Sequence, residues 1–152
     1  MWCPNCDRET NDEVIKENRS FDIKNESITI EVQIHSCVHC KEEWSADGFD
    51  PFDAAYRKYR EEHMMVQPEE LKEWRKDVLN FTQEEPSRLL GWSEATVVRY
   101  EKGALQERSH DNALKMAMVP AGLSVLLAND VGLEKEKVSR LMVRLNGESP
   151  HD

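Results

Sequence analysis

From Phe21 to Ile34 the chain alternates apolar and polar positions. Phe21 and Ile23, then Ile28, Ile30, Val32 and Ile34, stand at every second residue. A period of two places alternate side chains on one face of a strand, so this stretch predicts a β-hairpin with one apolar face. Asn25-Glu26-Ser27 supplies its turn, and an earlier strand is expected to include Val14 and Ile15. Near residue 50 the pattern changes to that of a helix. Asp50-Pro51 reads as an N-cap followed by proline at the first helical position, and Asp53 favours the positive end of the helix. Phe52, Ala55, Tyr56 and Tyr59 then follow at helical spacing to about Met64. Pro68-Glu69-Glu70-Leu71 opens another helix, whose apolar stripe is Leu71, Trp74, Val78 and Leu79 and whose end lies near Asn80.

Two short helices follow. Thr82-Gln83-Glu84-Glu85 has the form of a capping box, with the Thr82 hydroxyl on the Glu85 amide and the Glu85 side chain returning to the Thr82 amide. Pro86 is the fourth residue of this helix, Leu89 and Leu90 face inward, and Gly91 makes the turn. Ser93 caps the second helix, Glu94 to Glu101, and Gly103 stops it. Two short helices joined at a glycine, the second led by a polar cap, match helix-turn-helix geometry. In that geometry the second helix enters the major groove of DNA by its N-terminal end. Ser93, Glu94, Ala95 and Thr96 lead in, and Arg99 sits one turn further along to take guanine O6 and N7. Gln83 and Lys102 are placed to hold phosphates, while Val97, Val98 and Tyr100 are expected mostly in the core. The plainer alternative is an ordinary helical hairpin with Arg99 in solvent; Glu94 favours it, because a carboxylate repels phosphate. Beyond, His110-Asp111 is read as the cap of a helix carrying Leu114, Met116 and Met118 and interrupted by Pro120. Residues 121–127 are strongly apolar, and Glu134 to Leu145 forms an amphipathic helix with Val138, Leu141, Met142 and Leu145 on one side. These helices complete the domain core, supply a dimer interface, or both.

The charge is acidic and uneven. The net charge is −10, which counts against coating nucleic acid through bulk charge. Residues 1–67 carry −7 and residues 68–152 carry −3, so any DNA contact needs a local basic surface in the second half. The acidic first half suits either a basic partner or plain solvation. No apolar run reaches the length of a membrane span, and the N-terminus lacks the basic and apolar regions of a signal peptide. A cytoplasmic location, away from membranes, is expected.

The only cysteines are Cys3, Cys6, Cys37 and Cys40, in two Cys-x-x-Cys pairs. A two-residue spacing lets both sulfurs of a knuckle reach one ion, and two knuckles complete a tetrahedron of thiolates. Zinc suits that shell best, with rubredoxin-like iron as the metal rival. Two redox Cys-x-x-Cys motifs would be an odd duplication, and disulfides disagree with a reducing compartment. Four thiolates leave no open position, so the zinc is expected to be structural, one per chain. His35 and His39 flank the second knuckle and are read as surface histidines rather than fifth ligands.

Thr82-Gln83-Glu84-Glu85, Leu89-Leu90-Gly91-Trp92-Ser93 and Arg99-Tyr100-Glu101-Lys102-Gly103 together resemble the phage-repressor (XRE) type of helix-turn-helix. Preceded by Cys3-Pro4-Asn5-Cys6 and Cys37-Val38-His39-Cys40, they are similar to the MqsA-like antitoxins with a YgiT-type zinc finger, over roughly residues 1–120. The resemblance implies a structural zinc, a homodimer formed through the C-terminal domain, a palindromic double-stranded operator, autorepression, and a first module able to neutralise a basic ribonuclease toxin. It implies base readout by an asparagine and an arginine; the arginine matches Arg99, but the asparagine position holds Ala95, so the operator should differ. Pro86 also replaces the small residue usual in that helix. The expected fold is α+β: a four-cysteine zinc module with a β-hairpin (1–48), a helical connector (49–67), and a helix-turn-helix domain with a helical extension (68–152). The expected function is a sequence-specific transcriptional regulator and type II antitoxin. The alternative is a protein-interaction module whose acidic zinc half neutralises a toxin or other enzyme without dedicated DNA regulation. With no nucleophile elbow, phosphate loop, histidine metal motif or clustered acid–base pair, no enzyme is expected.

Overall fold

A computed structural model describes residues 1–45, 48–129 and 132–147. The predicted boundaries at 48 and 152 adjoin or include positions (46–47, 148–152) outside the described residues. The protein is a mixed α+β chain dividing into two compact units, Met1–Met64 and Met65–Asp152.

In the first unit, β1 (Trp2–Cys3) pairs antiparallel with β2 (Arg8–Glu9). A second sheet has the order β3 (Asp12–Ile23), β4 (Glu26–Cys37), β5 (Glu43–Ser45), all antiparallel. The expected short early strand and the hairpin's first arm are one continuous strand, β3. The turn is Lys24-Asn25, one residue earlier than expected. Both residues have positive φ, 48° and 67°, and Ile23 pairs directly with Glu26. Two left-handed residues match the twist of the flanking strands, which is why this two-residue turn outcompetes a longer polar loop. The alternation in β4 is real: Ile28, Ile30, Val32 and Ile34 are buried. Helix α1 (Pro51–Glu62) packs against β4, with Ala55 and Tyr59 buried. The Asp50 carboxylate accepts from the Phe52 amide at 2.9 Å, as an N-cap should. This helix, expected as a connector, is part of the first unit.

The second unit is helical. Helix α2 (Pro68–Glu73) runs straight into a π-helical stretch, Trp74–Leu79, followed by α3 (Glu85–Leu90), α4 (Ala95–Glu101), α5 (Arg108–Met118), α6 (Pro120–Leu127) and α7 (Lys135–Gly147). Leu71, Trp74, Leu79, Leu89, Val97, Leu114, Leu123, Leu127, Leu141 and Leu145 join one core; Val78 of the predicted stripe is 40% exposed. Asn80, Gly91 and Gly103 end their helices with positive φ. After the two glycines an amide reaches five residues back, Trp92 to the Ser87 carbonyl and Ala104 to Arg99; after Asn80, at the end of the wider π-helical stretch, Phe81 reaches six back to Arg75. These are Schellman-type caps, and they fold the chain back on itself three times.

Several caps differ from expectation. Only half of the Thr82 box forms: the Glu85 carboxylate accepts the Thr82 amide at 2.8 Å, but the Glu85 amide goes to the Thr82 backbone carbonyl instead of its hydroxyl. Helix α3 starts at Glu85, so Pro86 is its second residue, where no intrahelical N–H is missed. The Ser93 hydroxyl bonds the Thr96 hydroxyl at 2.8 Å, leaving the Thr96 amide to the Ser93 carbonyl. His110-Asp111 does not cap α5 but lies inside its first turn. Asp111 instead accepts from the Val66 amide at 2.8 Å and the Gln106 side chain at 3.2 Å, because a buried carboxylate needs donors and these are the ones within reach. Helices α5 and α6 approach closely at Gly122, where a Cβ would lie 2.0 Å from the Met116 carbonyl oxygen.

Candidate functional site

The four cysteines converge. Their sulfurs all lie within 4.8 Å of one another. Cys3 Sγ is 3.6 Å from Cys40 Sγ, and Cys6 Sγ is 3.9 Å from Cys37 Sγ. A disulfide would be about 2.0 Å, so these are four free thiols. A tetrahedron with metal–sulfur bonds of about 2.3 Å has sulfur–sulfur edges of about 3.8 Å, close to both distances. The cluster can therefore hold one metal ion.

The two knuckles repeat one local geometry. Asp7 and Lys41, each immediately after the second cysteine of its pair, have φ of 53° and 64°. Their amides bond the carbonyls of Cys3 and Cys37, both at 2.9 Å. Cys3 ends β1 and Cys37 ends β4, so the cysteine cluster joins the small sheet to the larger one; Val38 donating to Asn11 at 3.1 Å closes the same seam. Cys3 and Cys37 are fully buried, and Cys6 and Cys40 half-buried.

The surroundings bias the thiols unequally. The bond to Cys40, then burial, pushes Cys6 up to about 12. The Cys40 amide and then the Thr10 hydroxyl pull Cys37 down to about 5. Cys40 also lies below its ordinary value, chiefly through the Asn5 side chain and the Glu42 amide. Amide and hydroxyl donors around sulfur stabilise thiolate, the form a metal needs. Buried Thr10, 3.2 Å from Cys37 Sγ, and Asn5 are contributors the sequence did not reveal. A threonine or asparagine carries no ligand signature, and only the folded knuckles bring them to sulfur. His35 bonds Asp12 at 2.5 Å and stacks on Trp44, and His39 is exposed; among the described residues the metal group consists of the cysteines alone.

In the second unit, α3, Gly91 and α4 form a tight corner. The buried Ser87 hydroxyl accepts the Val97 amide at 3.0 Å, tying one helix to the start of the other. Of the residues singled out for DNA, Gln83, Ser93, Glu94, Ala95, Arg99 and Lys102 are exposed. Thr96 is different: it is 5% exposed, with its hydroxyl engaged by Ser93. Val97 and Tyr100 are buried, and Val98 is half-buried. Gln83 and Lys102 line one surface cleft of about 230 Å³ together with Lys72, Val98 and Glu101. Lys72 went unnoticed in the sequence because the chain carries it on the preceding helix. Glu94 is paired with Arg88 at 2.8 Å on the surface.

One buried ion pair, Arg75–Glu101, and one half-buried pair, Lys137–Glu85, hold these helices. Arg75 Nε lies 3.0 Å from both Glu101 oxygens, and its Nη1 donates to the Phe81 carbonyl at 3.1 Å. Glu85 accepts from Lys137 at 2.6 Å as well as from Thr82. Burial opposes ionisation of Glu85, but these donors outweigh it and hold its carboxyl below the ordinary value.

The chain matches no family of known proteins and no curated relative. Among the described residues, no helix is long and apolar enough to cross a membrane.

Proposed function

We propose that this chain is a sequence-specific DNA-binding regulator: an MqsA-like antitoxin with a YgiT-type zinc finger and an XRE-type helix-turn-helix. It acts as a homodimer on a palindromic operator and represses its own gene. The observation that carries this reading is the α3–Gly91–α4 corner, in which α4 buries Val97 and Tyr100 while leaving Ser93, Glu94, Ala95 and Arg99 open.

The N-terminal end of α4 enters the major groove. Arg99 takes a guanine edge with two hydrogen bonds, and Gln83, Lys102 and Lys72 set the register on phosphates. Arg88 offsets the charge of Glu94, which would otherwise face phosphate. The two-fold axis of a dimer presents two such helices about 34 Å apart. Exposed Met116, Val119 and Val125, beside the apolar cleft lined by Leu90, Ala117 and Leu126, fit a dimer contact through the second unit's helices.

The metal is zinc, one per chain, bound by Cys3, Cys6, Cys37 and Cys40. It supplies structure rather than chemistry, since four thiolates close its shell. The acidic first unit binds a basic toxin. A second reading keeps only that role, and the −7 carried by residues 1–67 favours it: an interaction module without dedicated DNA regulation. Neither reading involves catalysis.

The test is Arg99→Ala. Discrimination between the DNA upstream of its own gene and a scrambled duplex should fall by about 1–3 kcal/mol, roughly 5- to 150-fold, with an unchanged circular dichroism spectrum. Unchanged discrimination would remove Arg99 from base readout and leave the interaction module as the better account.

A further inference from the structure

Strand β3 is an edge. Its twelve residues pair only with β4, and Glu13–Ser20 are exposed on both faces, including Val14 at 52% and Ile15 at 37%. Ile23 pairs with Glu26 across a two-residue turn, so the odd-numbered residues from 13 to 23 direct their amides and carbonyls at β4. The even-numbered ones, Val14, Lys16, Asn18, Ser20 and Asp22, direct theirs outward, and no described residue pairs with them. Such an edge is normally blunted by a proline, a bulge, a covering segment or charged side chains; β3 carries charges, Glu13, Lys16, Glu17, Arg19 and Asp22 among them. Here there is no proline, and the register runs unbroken from Asp12↔Cys37 to Ile23↔Glu26.

We infer that β3 pairs antiparallel, along this open edge, with β3 of a second copy, about a two-fold axis at Asn18. The central segment Ile15–Phe21 is self-complementary in that register, while toward the ends Val14 faces Asp22 and Glu13 faces Ile23. Asn18 faces Asn18, Lys16 faces Ser20, Glu17 faces Arg19, and Ile15 faces Phe21. Directly opposed opposite charges and apolar pairs each stabilise a sheet. Moving the axis to residue 17 sets Glu17 against itself and Asp12 against Asp22; moving it to residue 19 sets Arg19 against itself. Within one chain Arg19 already bonds Glu17 at 2.6 Å and Glu43 at 3.1 Å, so the axis at Asn18 joins two such clusters with alternating sign. It also covers apolar surface. Phe52, 59% exposed, sits edge-on to Phe21 at 5.1 Å, and Ile15 of the second copy comes to Phe21 beside it. Because the interface is isologous, each contact away from the axis occurs twice. This contact is separate from the second-unit surface proposed above and does not depend on DNA binding.

The test is residue-resolved amide hydrogen exchange by NMR on the purified full chain at high and low concentration. Pairing predicts that the outward amides of Lys16, Asn18 and Ser20 exchange about tenfold or more slowly at high concentration and lose this protection on dilution. The inward amides of Ile15, Glu17 and Arg19 stay protected throughout. Asn18→Pro removes an outward N–H only, a place where an edge strand tolerates proline. It should return Lys16 and Ser20 to fast exchange while the inward amides report an intact β3–β4 ladder. Replacing Glu17 by Arg sets cations opposite each other and should also abolish the protection; combining it with Arg19→Glu should restore it. Outward amides that exchange freely at high concentration, or that stay protected in Asn18→Pro, would overturn the inference.

Discussion

Cys37→Ser probes how much of the first unit rests on metal. Cys37 is fully buried at the end of β4, with Cys6 Sγ at 3.9 Å and the Thr10 hydroxyl at 3.2 Å. Marginal stability of about 0.05–0.15 kcal/mol per residue gives a unit spanning Met1–Met64 roughly 3–10 kcal/mol in all. Binding of zinc to small modules contributes about 10–16 kcal/mol at neutral pH. If the cluster holds zinc as proposed, the metal term equals or exceeds the net stability, and this small sheet with one helix should unfold without it. A serine oxygen is a poor replacement for a soft thiolate. The expected outcome is loss of stoichiometric zinc and collapse of the β3 and β4 amide dispersion in a ¹H–¹⁵N spectrum. The indole signals of Trp74 and Trp92 in the second unit should stay put, because its core contains none of the cysteines. Chelation of the wild-type protein should give the same spectrum. A variant that retains one zinc per chain, or keeps β3 and β4 folded without it, would refute the reasoning; loss of both units together would show that they do not fold independently.

Two further outcomes concern the second unit. Removing one partner of the buried Arg75–Glu101 pair, as in Glu101→Leu, should cost about 3–5 kcal/mol in urea unfolding, whereas Arg75→Met with Glu101→Leu should recover most of it, because no charge is then left buried alone. Glu85, held below its ordinary 4.5 by Lys137 and Thr82 against the opposing effect of burial, adds stability that is complete above that value and is lost as pH falls through the lower folded value. Thermal melts between pH 6 and pH 3 should therefore show a decline that is shallower in Glu85→Gln, and identical slopes would contradict the assignment.

The four-cysteine cluster and the helical corner were legible in the sequence because their signals are local. A Cys-x-x-Cys spacing describes one knuckle, and a glycine after an apolar helix describes one cap. The apolar face of β4 was equally plain, since every second residue from Ile28 to Ile34 is apolar and buried. The extent of β3 was not: Glu13–Ser20 face solvent on both sides, so no alternation marks them, and only pairing with β4 makes them a strand. The turn was displaced because Asn25-Glu26-Ser27 is polar throughout, while the deciding property is the left-handed backbone at Lys24 and Asn25. Buried Asp111 was read as a cap residue, and buried Arg60 and Arg75 gave no signal in the sequence. A charged side chain announces burial only through partners that are far away in sequence, as Val66 is from Asp111. The burial of Thr96 was not legible for a related reason: its position at the head of α4 suits a groove contact, but its hydroxyl is engaged by Ser93 and it is buried.

The most direct test of the central proposal is a fluorescence anisotropy titration of the full-length, zinc-loaded protein on the DNA upstream of its own gene, at several salt concentrations, beside a scrambled duplex. The proposal predicts binding about 10³-fold tighter than to the control, weakening linearly in log salt as phosphate contacts release counterions. Weak and equal binding to both duplexes would contradict it and would leave the acidic first unit as the place where this protein acts.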